Sequence, residues 1–328
     1  MPRGIFRLKQ VYEEQLSEEW STRGDVWLTP SPFSKAHRFG YFGGSNTPRL
    51  STVDRIDYSN DTTIASPKGS LSLARGRLGA AGNTSFGYFG GGVGISHYST
   101  VDRIDYFNDT PTASPKGSLD RSGHSFSATG NASFGYWGGG KTPSKDSRVS
   151  RINYSNDTAT ASPKGDLNAT RYNMAAAGNN SFGYFAGGRD VNELTSVDRI
   201  DYSSDTSTAS PKGDLNTARR KAAGAGNVNF GYFAGGLSPS AVSSVDRIDY
   251  SNDTATASPK GDLPSTRYEL FATGDQSFGY FGGGPGPSSI VDRIDYSNDT
   301  ATASPKGPLS EKRFALAAAS GGANALPQ

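Results

Sequence analysis

The chain has 328 residues, and its 33 Lys and Arg against 31 Asp and Glu give a formal net charge of +2, which predicts no general attraction to nucleic acid or acidic lipid. It contains no cysteine, so disulfides and thiolate metal sites are excluded, and no apolar run approaches the length of a membrane-spanning helix. Glycine, Phe and Tyr are frequent, a composition typical of many short strands joined by tight turns.

Residues 1–38 form an N-terminal extension without similarity to the rest of the chain. Five apolar residues recur there at helical spacing with glutamates on the other side, and they predict a short amphipathic docking segment: Leu8, Val11, Tyr12, Leu16 and Trp20. Such a stripe must be buried somewhere, and two outcomes remain open: it docks onto a partner, or it folds back over the following domain. The first ten residues lack the apolar stretch of a secretion signal.

From Phe39 onwards, three sequence landmarks recur six times in the same order. Phe-Gly-Tyr-aromatic returns every 47 or 48 residues, at Phe39, Phe86, Phe134, Phe182, Phe230 and Phe278. Val-Asp-Arg-Ile-Asp-Tyr follows at Val53, Val101, Val197, Val245 and Val291, with a variant at Val149. Ser-Pro-Lys-Gly completes each copy, at Ser66, Ser114, Ser162, Ser210, Ser258 and Ser304.

Each copy divides into four strand-length pieces. In the fourth copy these are residues 171–177, 181–186, 196–202 and 206–210, separated by turns rich in Gly, Asn and Asp. Four short strands in a period of this length are typical of the blade of a β-propeller. The sequence therefore predicts an all-β, six-bladed β-propeller over residues 39–322, followed by a tail at 323–328.

The two ends of the repeat array predict how the ring closes. The array begins with the second strand of a blade at Phe39 and ends with a first strand at Arg313–Ala319 that has no second strand after it. We expect this last strand to pair beside Phe39–Gly43, because that pairing removes two free sheet edges.

The copies resemble the kelch repeat. A double glycine follows an aromatic strand, a tyrosine ends the next strand, and an arginine opens the following copy, here Gly187-Gly188, Tyr202 and Arg219. The tryptophan usual in kelch outer strands is absent, and Ser-Pro-Lys-Gly stands nearby instead. Enzymes of that family that resemble galactose oxidase use copper beside a modified cysteine, so a chain without cysteine predicts no such cofactor.

One arginine in the third strand of every copy is predicted to bridge to a carboxylate of the next blade. As charges buried between blades are usually paired, a structural ion-pair ring is the interpretation for Arg55, Arg103, Arg151, Arg199, Arg247 and Arg293. The aspartates of the Asn-Asp-Thr and Ser-Asp-Thr strings are interpreted as turn residues: Asp61, Asp109, Asp157, Asp205, Asp253 and Asp299.

Differences among the copies predict where binding occurs. The stretches after the double glycine and before each first strand vary most, and both lie on one face of a propeller. Diverse loops on a rigid scaffold favour recognition, although tolerated surface variation is the alternative. The candidate binding residues are His97, Tyr98, Lys141, Lys145, Arg189, Asp190 and Glu193. The three histidines do not have metal-ligand spacing, so we expect no metal and no catalytic residues.

The chain as a whole, with its opening and its Ser-Pro-Lys-Gly strings, resembles repeat proteins carried by marine and environmental bacteriophages. That resemblance implies a non-enzymatic virion structural protein, such as a tail, fibre or capsid-surface component, which is part of an assembly and contacts other virion proteins or a host-surface protein or glycan. The alternatives are a glycan-binding lectin and, third, an enzyme with its site in the central channel. We expect neither nucleic-acid binding nor membrane insertion.

Overall fold

A computed structural model describes residues 38–322, which form six four-stranded antiparallel sheets, the blades of a β-propeller. The amphipathic segment predicted at residues 8–20 lies outside the described residues, as does the tail at 323–328. From the inner to the outer strand, the blades are: Ala317–Ser320, Phe39–Asn46, Arg49–Asp57 and Ser66–Lys68 (blade 1); Gly79–Gly82, Phe86–Gly90, Val101–Asp105 and Ser114–Pro115 (blade 2); Ser127–Gly130, Phe134–Gly138, Val149–Asn153 and Ser162–Pro163 (blade 3); Ala175–Gly178, Phe182–Ala186, Val197–Asp201 and Ser210–Lys212 (blade 4); Ala223–Gly226, Phe230–Ala234, Val245–Asp249 and Ser258–Lys260 (blade 5); Phe271–Gly274, Phe278–Gly282, Val291–Asp295 and Ser304–Pro305 (blade 6).

Short elements complete the fold. Two small hairpins extend the loops of blades 3 and 5, pairing Lys141–Thr142 with Ser144–Lys145 and Leu237–Ser238 with Ser240–Ala241. Single 3-10 turns follow the third strand at Tyr58–Asn60, Tyr154–Asn156, Tyr202–Ser204, Tyr250–Asn252 and Tyr296–Asn298. No helix within residues 38–322 has the length and apolar character needed to cross a membrane.

The predicted closure of the ring is confirmed. The last strand, Ala317–Ser320, pairs antiparallel with residues 40–43 of the first strand, with Gly40 opposite Ser320 and Gly43 opposite Ala317. The pairing strand is shorter than predicted, because Arg313 is held in a buried ion pair with Asp54 and Ala315 has a left-handed φ of 53°. This pairing gives blade 1 its inner strand and leaves the first and last blades joined.

The outer strand of each blade was predicted wrongly. In blade 4 it is Ser210–Lys212 and not residues 206–210, because the chain first makes a 3-10 turn at Tyr202–Ser204 and then places Asp205 against the preceding blade. The inner strand was predicted too early for a similar reason. Arg171 is held in a buried ion pair, and Asn173 has a left-handed φ of 57° that ends extended pairing, so the strand begins at Ala175.

The core consists of aromatic residues packed between neighbouring blades. Tyr184 of blade 4 is fully buried and stacks on Tyr250 of blade 5, with ring centroids 4.7 Å apart. The same stacked pair recurs at every blade interface: Tyr41–Tyr106, Tyr88–Tyr154, Tyr136–Tyr202, Tyr184–Tyr250, Tyr232–Tyr296 and Tyr280–Tyr58. Each such pair contributes about 0.5–1.5 kcal/mol beyond the burial of its area.

Small residues line the axis of the disc. The inner strands of all six blades surround a narrow space, and its lining at mid-height is one small side chain or glycine per blade: Ala80, Ala128, Ala176, Gly224, Ala272 and Ala318. Short side chains are required here, because the backbone of Gly224 lies so close to Ala176 of the neighbouring strand that a methyl group would collide with it. We call this layer the channel waist.

Candidate functional site

The arginines predicted to bridge neighbouring blades lie at the blade interfaces. In blade 4, Arg199 Nη1 donates to Asp253 Oδ2 of blade 5 at 2.7 Å, and the same oxygen accepts from Tyr184 Oη at 2.8 Å. Lys212 Nζ lies 3.2 Å from the other carboxylate oxygen. This four-residue set recurs around the ring, with the ion pairs Arg55–Asp109, Arg103–Asp157, Arg151–Asp205, Arg199–Asp253, Arg247–Asp299 and Arg293–Asp61.

The aspartates of this set do more than form turns. Asp253 is 7 % exposed and lies where its carboxylate receives charge and hydrogen bonds from the preceding blade. Burial alone raises the pKa of Asp253, but hydrogen bonds from Tyr184 and Lys212 and the charge of Arg199 outweigh burial and lower it. All four groups of the set are thus engaged by one another, and the set holds blades together rather than facing a ligand.

A second buried ion pair lies within the blades. Arg219, which precedes the inner strand of blade 5, donates to Ser244 O at 2.8 Å and lies 3.1 Å from Asp246 Oδ2 in the third strand. Burial lowers the pKa of Arg219 and raises that of Asp246, because both charged groups are removed from water. Five blades carry this pair, as Arg75–Asp102, Arg171–Asp198, Arg219–Asp246, Arg267–Asp292 and Arg313–Asp54.

Blade 3 replaces the second pair. Gly123 and Ser150 stand at the two positions, and Arg121 fills the place of the missing guanidinium from two residues upstream. Its Nη1 donates to Ser150 Oγ at 2.6 Å and its Nη2 to Arg148 O at 2.8 Å. The carbonyl of Arg148 is equivalent to that of Ser244, which accepts from Arg219 in blade 5. The site therefore requires a guanidinium irrespective of which residue supplies it.

The two faces of the disc differ. We call the face that carries the crossovers into the inner strands and the loops between second and third strands the variable face. The opposite face carries the uniform turns, and these hydrogen-bond from blade to blade. For example, Asn179 Nδ2 donates to Val228 O at 3.3 Å, and Asn227 Nδ2 donates to Gln276 O at 3.3 Å. The polar groups of those turns are therefore occupied within the propeller.

A closed ring of backbone hydrogen bonds surrounds the axis on the variable face. One residue per blade donates its N–H to the carbonyl of its counterpart in the preceding blade at 2.6–3.3 Å. It lies two positions after the arginine of the second pair, or after Gly123 in blade 3. The sequence of donors returns to its start, since Arg77 N donates to Ala315 O. We call these residues the axial ring: Arg77, Ser125, Asn173, Lys221, Glu269 and Ala315.

All six residues of the axial ring have left-handed backbone. Their φ values lie between 51° and 59°, although none is glycine. This conformation costs an ordinary residue about 1–2 kcal/mol, and strained backbone of this kind concentrates at functional sites. The ring thus presents six different side chains on one repeated backbone geometry.

The side chains of the axial ring form a polar cluster above an apolar floor. Glu269 is 4 % exposed, and its Oε1 lies 2.6 Å from Lys221 Nζ and 3.7 Å from Arg77 Nη2. A small cavity of about 20 Å³, room for about one water molecule, lies at the axis between five of the ring residues and the apolar side chains beneath them, among them Phe126 and Leu270. We call this cavity the axial cup.

The residue before each ring position adds a second layer around the cup. This outer layer consists of Gly76, His124, Tyr172, Arg220, Tyr268 and Phe314. In blades 2 to 5 its backbone pairs with the first residue of the neighbouring loop, as in His124 with Lys141 and Tyr172 with Arg189. The variable loops are thereby joined to the axial cup.

The predicted binding residues surround this outer layer in contacting groups. The His97 ring lies against that of His124, with centroids 4.9 Å apart, and Lys141 Nζ lies 5.6 Å from the centroid of Tyr172. Further contacts are the ion pairs Lys145–Asp190 and Glu193–Arg220 and the backbone bridges Tyr98–Gly123 and Arg189–Tyr172. The structure brings the seven together in one sector spanning blades 2 to 5, although none belongs to the axial ring.

The surroundings in this sector lower the pKa of a histidine. Burial, followed by the charges of Arg77, His97 and Lys141, lowers the pKa of His124 to about 4, while its Nδ1 lies 2.9 Å from Ser125 Oγ. His124 is therefore neutral at pH 7 and serves as a hydrogen-bonding group. Within residues 38–322 no three His, Asp or Glu residues cluster as a metal site.

The axial ring itself was missed at the level of sequence. Its positions were read as part of the first strand, as with Asn173 inside residues 171–177. A signal was nevertheless present, since the six copies differ completely at a position that lies two residues after a nearly uniform arginine. Only ring closure shows that these six positions meet.

Comparisons with known proteins bear on the fold. No protein-family model and no curated protein matches the chain. Chains of solved structures do match, among them one titled "Structure of YjhT", with a TM-score of 0.63 and 12% identity over 76% of this chain and 88% of that chain. At this identity the likeness shows the propeller fold alone.

Proposed function

We propose that the protein is a non-enzymatic recognition module that acts through the variable face, as a tail, fibre or capsid-surface component of a bacteriophage particle. The observation that carries the recognition role is the axial ring, where identical backbone presents six different side chains. A ring that served only to hold the inner strands together does not need this diversity, and a glycine at each position removes the strain.

The distribution of engaged and free polar groups supports the same role. The charged groups of the uniform sets at the blade interfaces pair with one another, and the turns of the opposite face hydrogen-bond across blades. On the variable face, by contrast, Lys141 and Arg189 form no ion pair within residues 38–322. Long cationic side chains with free donors are suited to binding a partner of either chemistry, protein or glycan.

The non-enzymatic part of the proposal is supported by the shape of the axis. The channel waist presents methyl groups and a glycine where an enzyme with its site in the channel requires polar groups around a substrate. The place in a virion rests on the sequence resemblance to phage repeat proteins.

The recognition role is tested by binding to host cells. Labelled full-length protein is titrated onto cells, and Arg189→Glu on the variable face is compared with Arg38→Glu, whose side chain lies on the opposite face beside Ser59. We expect Arg189→Glu to reduce binding at least about tenfold, as for loss of a charged contact, and Arg38→Glu to leave it unchanged. Equal effects of the two variants contradict the assignment of the face.

The place in the virion requires a separate measurement. Mass spectrometry of purified particles is expected to detect the chain in a stoichiometric amount, and deletion of residues 1–38 is expected to abolish its incorporation. Detection only in the soluble fraction of the lysate contradicts the virion role and leaves the recognition role standing.

A further inference from the structure

Glu269 is a buried carboxylate with unused hydrogen-bonding capacity. It is 4 % exposed and lines the axial cup, yet its Oε2 has no hydrogen-bond partner within residues 38–322. Buried acceptors without a partner cost about 1–3 kcal/mol. Several buried aspartates also have an unpartnered oxygen, but Glu269 differs from them because it lines a cavity. A water molecule or a ligand hydroxyl that reaches the cup from the variable face can therefore donate to Glu269.

Hydrogen-bond donors and acceptors both line the same cup. Arg77 Nε is buried and has no hydrogen-bond partner, and the side-chain amide of Asn173 makes no hydrogen bond within the described chain. Ala315 stands between Arg77 and Glu269 in the ring and offers only a methyl group, so these two side chains approach to 3.7 Å with no polar side chain between them. A ligand that both donates to Glu269 and accepts from its neighbours satisfies all these groups.

Aromatic side chains flank the cup on one side. Tyr268 and Phe314 meet edge to face with centroids 6.1 Å apart, and Lys221 Nζ lies 5.4 Å from the centroid of Tyr268. All three side chains are partly exposed. An apolar wall beside a cluster of mixed donors and acceptors suits a ligand with one C–H face and several hydroxyl groups.

We propose that the axial cup binds the terminal neutral sugar residue of a glycan, one per chain. The inference rests on the proposed function, since it names what the variable face recognises. A sugar hydroxyl donates to Glu269 Oε2, while neighbouring hydroxyls accept from Arg77 and Asn173. The charges of Glu269 and Lys221 meet one another at 2.6 Å, so the site does not need a charged ligand. The cup has room for about one hydroxyl group, so a single hydroxyl of the sugar enters it and the rest of the sugar lies on the aromatic wall.

The test begins with an array of neutral and acidic glycans probed with the full-length chain. The neutral monosaccharide that ends the bound glycans is then titrated calorimetrically. We expect a stoichiometry of one and a loss of affinity of about tenfold or more in both Glu269→Gln and Asn173→Ala, because each removes a hydrogen-bond partner. Asn298→Ala, the same substitution on the exposed opposite face, is the matched control and is expected to bind like the parent protein.

Three results overturn the inference. They are binding confined to acidic glycans or absent from the array, a stoichiometry near six that places sites in the individual blades, and unchanged affinity in Asn173→Ala. Asn173 is half-buried and its side chain makes no hydrogen bond, so this variant keeps the test valid even where Glu269→Gln lowers stability. If the array fails while Arg189→Glu still weakens binding to cells, the variable face recognises a protein, and only the sugar inference falls.

Discussion

The blade interfaces and the axial ring obey opposite rules. At each interface, the same four residues meet, and Arg199, Asp253, Tyr184 and Lys212 have counterparts in every blade. In the axial ring, the backbone repeats while the side chains range from a buried carboxylate at Glu269 to a methyl group. The difference separates residues that hold the ring together from residues that are free to differ, and it is the basis for the recognition that we propose at the axis.

The largest effect is expected where a buried pair of the uniform kind is broken. Asp246→Ala leaves the guanidinium of Arg219 buried without its carboxylate, and we expect the free energy of unfolding to fall by about 3–5 kcal/mol. Urea denaturation measures this change in the free energy of unfolding. The double variant Arg219→Met with Asp246→Leu is the control and is expected to lose less than Asp246→Ala alone. A larger loss in the double variant contradicts this account.

A smaller loss is expected at the interface between blades. Asp253→Asn keeps the shape of the side chain but removes the charge that Arg199 and Lys212 share, and we expect about 2–3 kcal/mol of destabilisation. Asp190→Asn, which disrupts a partly exposed pair with Lys145, is the comparison and is expected to change the unfolding midpoint less. Equal shifts in the two midpoints are inconsistent with a buried structural set.

In the axial ring, by contrast, substitution by glycine is expected to give a more stable protein than substitution by alanine. Arg77 has a φ of 56°, so Arg77→Gly relieves strained backbone, whereas Arg77→Ala removes the same side chain and keeps the strain. We expect the glycine variant to be about 1 kcal/mol more stable than the alanine variant by chemical denaturation, and both to lose binding. If alanine proves the more stable of the two, the ring is not strained.

The last effect concerns pH. The pKa of His124 is lowered from 6.5 to about 4, so the folded chain holds fewer protons than the unfolded chain between these values, and this contribution to stability is lost as the pH falls from 6.5 towards 4. We expect the stability difference between the parent protein and His124→Gln to be constant above pH 7 and to shrink on acidification. Denaturation series at pH 7.5 and 5 measure it, and a difference that grows at pH 5 contradicts the assignment.

The sequence was sufficient to predict the features of the fold that follow from the repeated unit. Six copies predicted six blades, and the unmatched final strand predicted the closure seen at Gly40–Gly43. It was insufficient where the conformation of one blade depends on residues of the neighbouring blade. Asp205 was read from its local turn, but its position is decided by Tyr136 and Arg151 of the preceding blade, and this displaced the outer strand. The axial ring is the extreme case, because its six members are distant along the chain and meet only after closure.

The borrowed inner strand of blade 1 also has a consequence for biosynthesis. Residues 40–57 leave the ribosome well before their partner at residues 317–320, which is made after the strands of blades 2 to 6. During translation the first blade therefore waits with an unpaired edge, while each later blade forms from contiguous chain. Closure of the ring waits for residues 317–320, so nascent chains stalled before residue 317 carry the same exposed edge and are the species that molecular chaperones must protect.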